Sequence, residues 1–343
     1  MTRLLAAALA LTGLAACAPP GPTATAGKLV VAGYGGSYQE AFEQAVVPEF
    51  EKSCSCEVTY IAGSSIDTVA KLKAQKDAPQ IDVALIDDGP QAQAASAGLL
   101  AKLDPDAVTR LDKVARVARI PGDVGVGFAL TATGLAYNTK WYAENGLPAP
   151  RKLADLADPR LKGRVVLPSI TNTYGVGALI LAAREGDGSI DSGFAGLEKV
   201  AANAFTFDAT ADVSNYFLQG QAVATVWGGS RVETLADKSF PISFVYPETG
   251  AIPLLATANV VNRAPHPELA QRFVNALLEP GIQERLAAEG YDGPTVTDAH
   301  LEPELAKRVV GSEQAAHMQP LDWRDVNSKR AAWTDRWTKE IEQ

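Results

Sequence analysis

The chain has 343 residues, of which 47% are hydrophobic and 21% charged, with a formal net charge of -9. These are the proportions of an ordinary soluble globular protein, and the acidic balance, without any Lys/Arg block, excludes a nucleic-acid or anionic-membrane footprint. A chain of this length exceeds what one hydrophobic core usually supports, so two lobes are expected.

In chain order, Arg3 precedes the apolar run Leu4 to Leu14, the charge-then-apolar order of a bacterial export signal. A membrane span needs about 20 apolar residues, more than this run supplies. The segment ends Leu14-Ala15-Ala16-Cys17, which resembles the lipobox of bacterial lipoproteins and implies lipidation at Cys17. A plain secretory signal cut after Ala24-Thr25-Ala26 is the alternative. On either reading the mature protein works outside the cytoplasm. Residues 18–27, rich in Pro, Gly and Thr, read as a tether.

From residue 28 a pattern recurs of short β-branched run, polar turn and helical stretch. Lys28 to Ala32 leads through Gly33-Tyr34-Gly35-Gly36 to a helix reaching about Lys52, with Ser37 and Glu40 spaced as a capping box. Cys54 and Cys56 follow as Cys-Ser-Cys; such thiols can close a small ring in an oxidising compartment. This favours a local structural feature over a metal or redox centre, the bond itself being left open. The histidines, His266, His300 and His317, share no ligand spacing.

Glu57 to Ile61 feeds a helix to about Gln75, and Asp82 to Ile86 feeds Gln91 to Ala97. Further strands are expected at Phe128 to Asn138, Arg164 to Leu167, Ala222 to Trp227, Ile242 to Tyr246 and Leu254 to Val261. Helices are expected at Tyr174 to Arg184, Glu268 to Leu278 and Ile282 to Gly290. Strands feeding helices imply an α/β fold of two doubly wound lobes with a ligand cleft between them. Turns at the carboxyl ends of parallel strands open on one side, where solutes bind.

Several segments, in order, resemble the extracellular solute-binding proteins of bacterial ABC importers, the spermidine/putrescine-like group with a type II periplasmic-binding fold. They are VVAGYGGSYQEAF at 30–42, DVALIDDGPQAQ at 82–93, TATGLAYNTKWY at 131–142, LADLADPRLKGRVVLPS at 153–169 and WTDRWTKEI at 333–341. The resemblance implies a first lobe of residues 28–132 plus 257–297 and a second of 133–256 plus 298–343. It implies a small-molecule solute, with an ABC permease and its ATPase as partners. No cofactor, metal or nucleic acid is expected, the membrane is reached only through the lipid anchor, and the chain is expected to act as a monomer.

Candidate ligand residues sit at the strand-end turns. Tyr34 and Gly36 occupy a turn whose glycines admit close approach, and Ser37 is an N-cap able to share its hydroxyl. Asp87 and Asp88 are adjacent carboxylates that need a cation or several N–H donors. Asn172, Thr173 and Tyr174 open a helix, and Asp208 either faces the cleft or caps. Trp227 resembles the family's stacking tryptophan, able to hold an alkylammonium by cation–π attraction, with a core position as the alternative. Arg231, if it reaches the cleft, requires an anionic group on the ligand. Glu248 lies in a turn resembling the family's Pro-Lys-Glu-Gly. The stretch Ile252-Pro253-Leu254-Leu255-Ala256 departs from the polyamine receptors, lacking their aromatic and acid, so a smaller amine, an amino-acid-like zwitterion or an opine-like compound fits at least as well as spermidine. Ferric-ion and phosphorylated-solute receptors of the same fold are alternatives. A secreted enzyme is disfavoured by the lack of a nucleophile elbow, a zincin motif or a Walker loop.

Overall fold

A computed structural model describes residues 27–210, 212–311, 314–315 and 318–342. The export segment, Cys17, nearly all of the tether and His317 lie outside the described residues, as does the Ser37 side chain. One mixed sheet of nine strands organises the molecule. At one end β1 (Lys28–Tyr34) pairs in parallel with β2 (Glu57–Gly63) and β3 (Val83–Asp87). At the other, β5 (Val165–Pro168) pairs in parallel with β6 (Ala204–Asp208) and β7 (Ala224–Gly228).

Two long strands join these halves. β4 (Val126–Asn138) runs antiparallel to β9 (Ile252–Val260) over its first half and to β7 and β8 (Ile242–Val245) over its second. β9 continues antiparallel to β3, which completes the order β2-β1-β3-β9-β4-β7-β5-β6. Both strands are buried along nearly all their length, and this is why they read as continuous apolar runs instead of alternating ones. Gly134 marks a crowded point of β4, where a Cβ would lie 2.6 Å from the Val245 carbonyl oxygen.

Two principal hydrophobic cores flank the crossover. The first gathers Leu29, Val31, Phe42, Leu85, Phe128, Phe273 and their neighbours. The second gathers Leu135, Leu167, Leu179, Phe194, Val226 and Trp337. Val310 and Met318 close the first core, whereas Trp323, Val326, Trp333 and Trp337 belong to the second. Segment 298–318, grouped with the second lobe in the sequence expectation, therefore also packs on the first.

The expected strands β1 to β5 and β7 to β9 form, each shifted by a few residues at its ends. β6 and the helix Ile190–Ala201 were not anticipated, because Ala204–Asp208 is a half-buried edge strand without a clear period. The first helix breaks in two, Ser37–Ala45 and Val47–Cys54, since Pro48 cannot donate to the preceding turn. Its N-cap is Gly36, at φ 68°, without a side-chain cap; the N-cap expected at Ser37 is thus moved one residue earlier, and with it the expected capping box is lost. A capping box does form at Ser64 with Asp67, ahead of helix Ser65–Ala74. Cys54 and Cys56 are joined by a disulfide.

The C-terminal helix, Trp323–Glu340, is seated by its apolar stripe, with Asp322 accepting from the Arg324 and Asp325 amides at the cap. Trp337 is fully buried and meets Phe194 edge-on at 6.5 Å. Trp337→Ala is expected to lower stability by about 3–5 kcal/mol, read as the shift in urea midpoint of the purified protein.

Candidate functional site

The carboxyl ends of β1, β2, β3, β5 and β7 each deliver the chain to a helix N-terminus, at Ser37, Ser65, Asp88, Thr173 and Gly229. These turns surround a cavity of about 490 Å³. Free N–H groups at such ends carry partial positive charge and favour anions.

Gly36 combines a left-handed backbone with close contact across the cleft: a Cβ there would stand 2.7 Å from the Asp212 carboxylate. Any larger residue would hold the walls apart. Asp87, at the end of β3, is 8% exposed. It accepts a hydrogen bond from the Thr173 hydroxyl at 2.5 Å, and its amide donates to Ser65 Oγ at 3.1 Å. The Thr173 bond joins the β3 end to the helix Thr173–Glu185, spanning the two cores.

Asn172 N-caps that helix through Gly175 and donates from Nδ2 to the carbonyls of Asp208 and Thr210. It therefore holds the loop after β6 against the helix end. At the start of helix Gly229–Asp237, the Ser230 amide donates to Thr131 Oγ1 on β4 at 3.0 Å. Arg231 follows, 7% exposed, its Nη1 3.3 Å from Asp212 Oδ2.

The cavity joins these groups to Tyr34, Tyr38, Tyr174 and Asp292, above an apolar floor of Ala129, Leu254 and Ala256. Tyr34 and Tyr38 meet edge to face, with ring centroids 4.8 Å apart. The hydroxyls of both, and Oδ2 of Asp292, are buried without a close hydrogen-bond partner among the described residues, with Asp87 beside Tyr34 and Asp292 beside Tyr38. Orphaned polar atoms of this kind cost roughly 1–3 kcal/mol each in a folded protein, and here they belong to three residues that line one cavity.

Burial governs the electrostatics. It pushes the Asp292 carboxyl up to about 7, with Arg231 acting in the opposite direction. It raises Asp87 as well, against the hydrogen bond from Thr173. The Tyr34 phenol is held well above its ordinary value by burial and then by the Asp87 charge, and Tyr38 likewise by burial and Asp292. Tyr174 is pushed up to about 12 by burial, Arg231 opposing.

Of the residues singled out from sequence, Tyr34, Gly36, Asp87, Asn172, Thr173, Tyr174 and Arg231 line the cavity. Asp88 does not: it begins the helix Asp88–Ser96 and accepts from the Gly89 amide. Trp323 packs over Gly89 there and Asn327 donates to its carbonyl, so Asp88 belongs to the contact with the C-terminal helix. Asp208 is turned into its own loop, accepting from Thr210 and from the Tyr216 hydroxyl. Trp227 is 1% exposed and stacks on Phe217 at 6.2 Å, because its strand position points into a small core of the second lobe. Glu248 pairs with Arg151 away from the cavity.

Other lining residues were not singled out from sequence, among them Tyr38, Thr131, Thr210, Asp212, Ser230 and Asp292. Asp292 lies in a Tyr-Asp-Gly-Pro turn far along the chain, where nothing local marks it as part of a site. Tyr38 read as a helix residue, and one turn beyond Tyr34 was the only signal. Among the described residues, no group of three or more His, Cys, Asp or Glu could hold a metal ion, and no helix is long and apolar enough to cross a membrane.

Residues 45–310 match the family model of the bacterial extracellular solute-binding proteins. The chain is 24% identical over 302 residues to a putative 2-aminoethylphosphonate-binding periplasmic protein of Salmonella paratyphi A, covering 85% of this chain and 86% of that protein. It is 23% identical over 317 residues to the spermidine/putrescine-binding periplasmic protein of Escherichia coli K12, covering 88% and 89%. Among solved structures, AgtB, a periplasmic binding protein from Agrobacterium tumefaciens R10 in complex with agropinic acid, superimposes with a TM-score of 0.78 at 27% identity, covering 92% of this chain and 99% of that one.

The raised carboxyls set a pH dependence for the unliganded protein. Asp292 and Asp88, both near 7 when folded, bind protons more tightly than in the unfolded chain, where an aspartate titrates at about 3.9. Their contribution is therefore most favourable at low pH and is lost as pH rises through about 4 to 7. Asp292→Asn is expected to raise the melting temperature at pH 7.5 and to flatten its dependence between pH 5 and 8; a variant that melts lower at pH 7.5 contradicts this.

Proposed function

The chain belongs to the bacterial extracellular solute-binding protein family, and on that premise we propose that its cavity captures a small zwitterion, carrying an ammonium and a compact anionic group, for import by an ABC permease and its ATPase. The observation that carries this reading is the mixed polarity of one buried space. Arg231 and the converging helix ends supply donors to an anion, while Asp87, Asp292 and the tyrosine hydroxyls supply acceptors to a cation.

A pure polyamine fits this less well. A second ammonium would have to sit near Arg231, and like charges in a buried space repel strongly. The stretch that departs from the polyamine receptors places Leu254 and Ala256 on the floor, so that end of the cavity offers neither a ring nor an acid to a long diamine. The relative named for 2-aminoethylphosphonate supports an ammonium and an anion in one short molecule. The solute is held and released unchanged, so the protein acts as a receptor and not as an enzyme.

In this reading the protein is exported and anchored at the cell envelope through Cys17, works as a monomer, and closes on its solute by flexing about β4 and β9. Contacts that bridge the two cores, such as Asp87 with Thr173, would be lost on opening in this reading and so are able to bias that equilibrium. The lobes are taken as 28–132 with 257–297, and 133–256 with 298–343, Val310 and Met318 of the latter packing back against the core of the first.

Thermal unfolding in the presence of a solute panel tests the reading. At 100 times its dissociation constant a true ligand adds about 2.7 kcal/mol of stability. 2-Aminoethylphosphonate or a short amino acid is expected to give such a rise, with smaller effects from putrescine and ethylphosphonate. No response to any zwitterion, alongside a clear response to putrescine, would replace the reading with a polyamine receptor.

A further inference from the structure

We propose that Asp292, with the hydroxyls of Tyr34 and Tyr38, forms a seat on the first lobe for a primary ammonium, and that the solute's anionic group lies across the cleft against Arg231. This deepens the zwitterion reading and rests on it for the second half only.

A primary ammonium carries three N–H donors in a compact head. The cavity lining offers it three oxygens without a close hydrogen-bond partner among the described residues, Tyr34 Oη, Tyr38 Oη and Asp292 Oδ2, although Tyr38 and Ser230 lie beside Asp292 and Tyr34 lies beside Asp87. Asp292 is 5% exposed, so water is a poor substitute for a ligand there. Edge-to-face packing with Tyr34 and the stacked Phe42 behind fix the Tyr38 ring. The Tyr60 hydroxyl donates to the Tyr34 carbonyl at 2.9 Å, fixing the turn from below.

All of these groups come from the first lobe: the end of β1, the helix Ser37–Ala45 and the turn after helix Pro280–Gly290. Arg231, Asn172, Thr173 and Tyr174 come from the second. The first-lobe wall is thus rich in acceptors and the second supplies the guanidinium, itself paired with Asp212, and this difference gives a short zwitterion spanning them a preferred orientation. The charged group facing Asp292 is Arg231, with the neutral hydroxyls of Ser230 and Tyr38 beside it; burial raises its carboxyl in spite of them.

The seat selects by N–H count. A trimethylated ammonium has the same charge but no donors and a larger head, so it would leave all three oxygens unsatisfied. A site built from open aromatic faces would accept it. This cavity has tyrosine, serine and threonine hydroxyls in its lining, while the tryptophan on β7, Trp227, is buried in a core.

Isothermal titration calorimetry with 2-aminoethylphosphonate, its N,N,N-trimethyl analogue, ethylphosphonate and putrescine tests this on the purified chain and on Asp292→Asn, Tyr38→Phe and Arg231→Gln. Wild type is expected to bind the trimethyl analogue about 100-fold more weakly than the primary amine. Asp292→Asn should weaken the primary amine by about 30- to 100-fold, and Tyr38→Phe, which removes only a hydroxyl, by about 5- to 20-fold. Neither should change ethylphosphonate binding more than about threefold, whereas Arg231→Gln should weaken both phosphonates. Equal binding of primary and trimethylated amines overturns the seat. So does an equal loss of amine and ethylphosphonate in Asp292→Asn or Tyr38→Phe. If wild type binds putrescine but no phosphonate, the zwitterion reading fails; loss of putrescine in Asp292→Asn and Tyr38→Phe would still support the seat, and its retention would overturn it. Binding of none of the four by wild type overturns both.

Discussion

A carboxyl group removed from water is costly unless a cation or several donors replace the solvent, and the interior seam of this protein carries that cost at Asp87 and Asp292. Asp87 is partly compensated by the Thr173 hydroxyl. Asp292 keeps one oxygen without a close hydrogen-bond partner among the described residues. The rest of the site can be understood as arranged around this deficit: phenols that can accept from a cation, a guanidinium opposite, and helix ends that balance an anion. A core built for stability alone would not contain such an arrangement, since apolar groups of the same shape would cost less. On the proposed role of Asp292, stability and affinity are opposed at one residue, as is common at binding sites.

The position of the deficit follows from β4 and β9. Their halves belong to different cores, so the strand ends that face one another across the sheet come from separate lobes. Polar turns at those ends must then meet over a gap instead of packing into either core. The close approach of Gly36 to Asp212 and the bond between Asp87 and Thr173 are what the gap becomes when the lobes are together. The C-terminal helix stabilises the same geometry from outside, with Trp323 and Asn327 against Gly89 beside Asp88.

Much of this was readable in advance where the signal is local. The strands with β-branched runs and the glycine turn at Gly33-Tyr34-Gly35-Gly36 identify themselves, and turns at the ends of parallel strands nominate Tyr34, Asp87, Asn172, Thr173 and Arg231. Local reasoning failed where one turn offered two directions. Asp87 and Asp88 are neighbours, yet the first ends a strand and the second begins a helix, so their side chains diverge. Trp227 sits at a strand end as expected, but the strand's alternation directs it into a core beside Phe217. The expected cap at Ser37 shifted because the positive φ of Gly36 lets the helix begin one residue sooner.

By itself the sequence determined the α/β alternation, the two-lobed class and the turns from which one half of the site is drawn, because period, glycine placement and capping act over a few residues. Only the tertiary structure decided that Asp292, Tyr38 and Asp212 join that site, since they are brought there by a sheet whose central strands link residues more than a hundred positions apart. It likewise decided that Asp208, Trp227 and Glu248 turn elsewhere. The physical reason is that a side chain's direction depends on which neighbour buries its other face, and that neighbour is supplied by the fold.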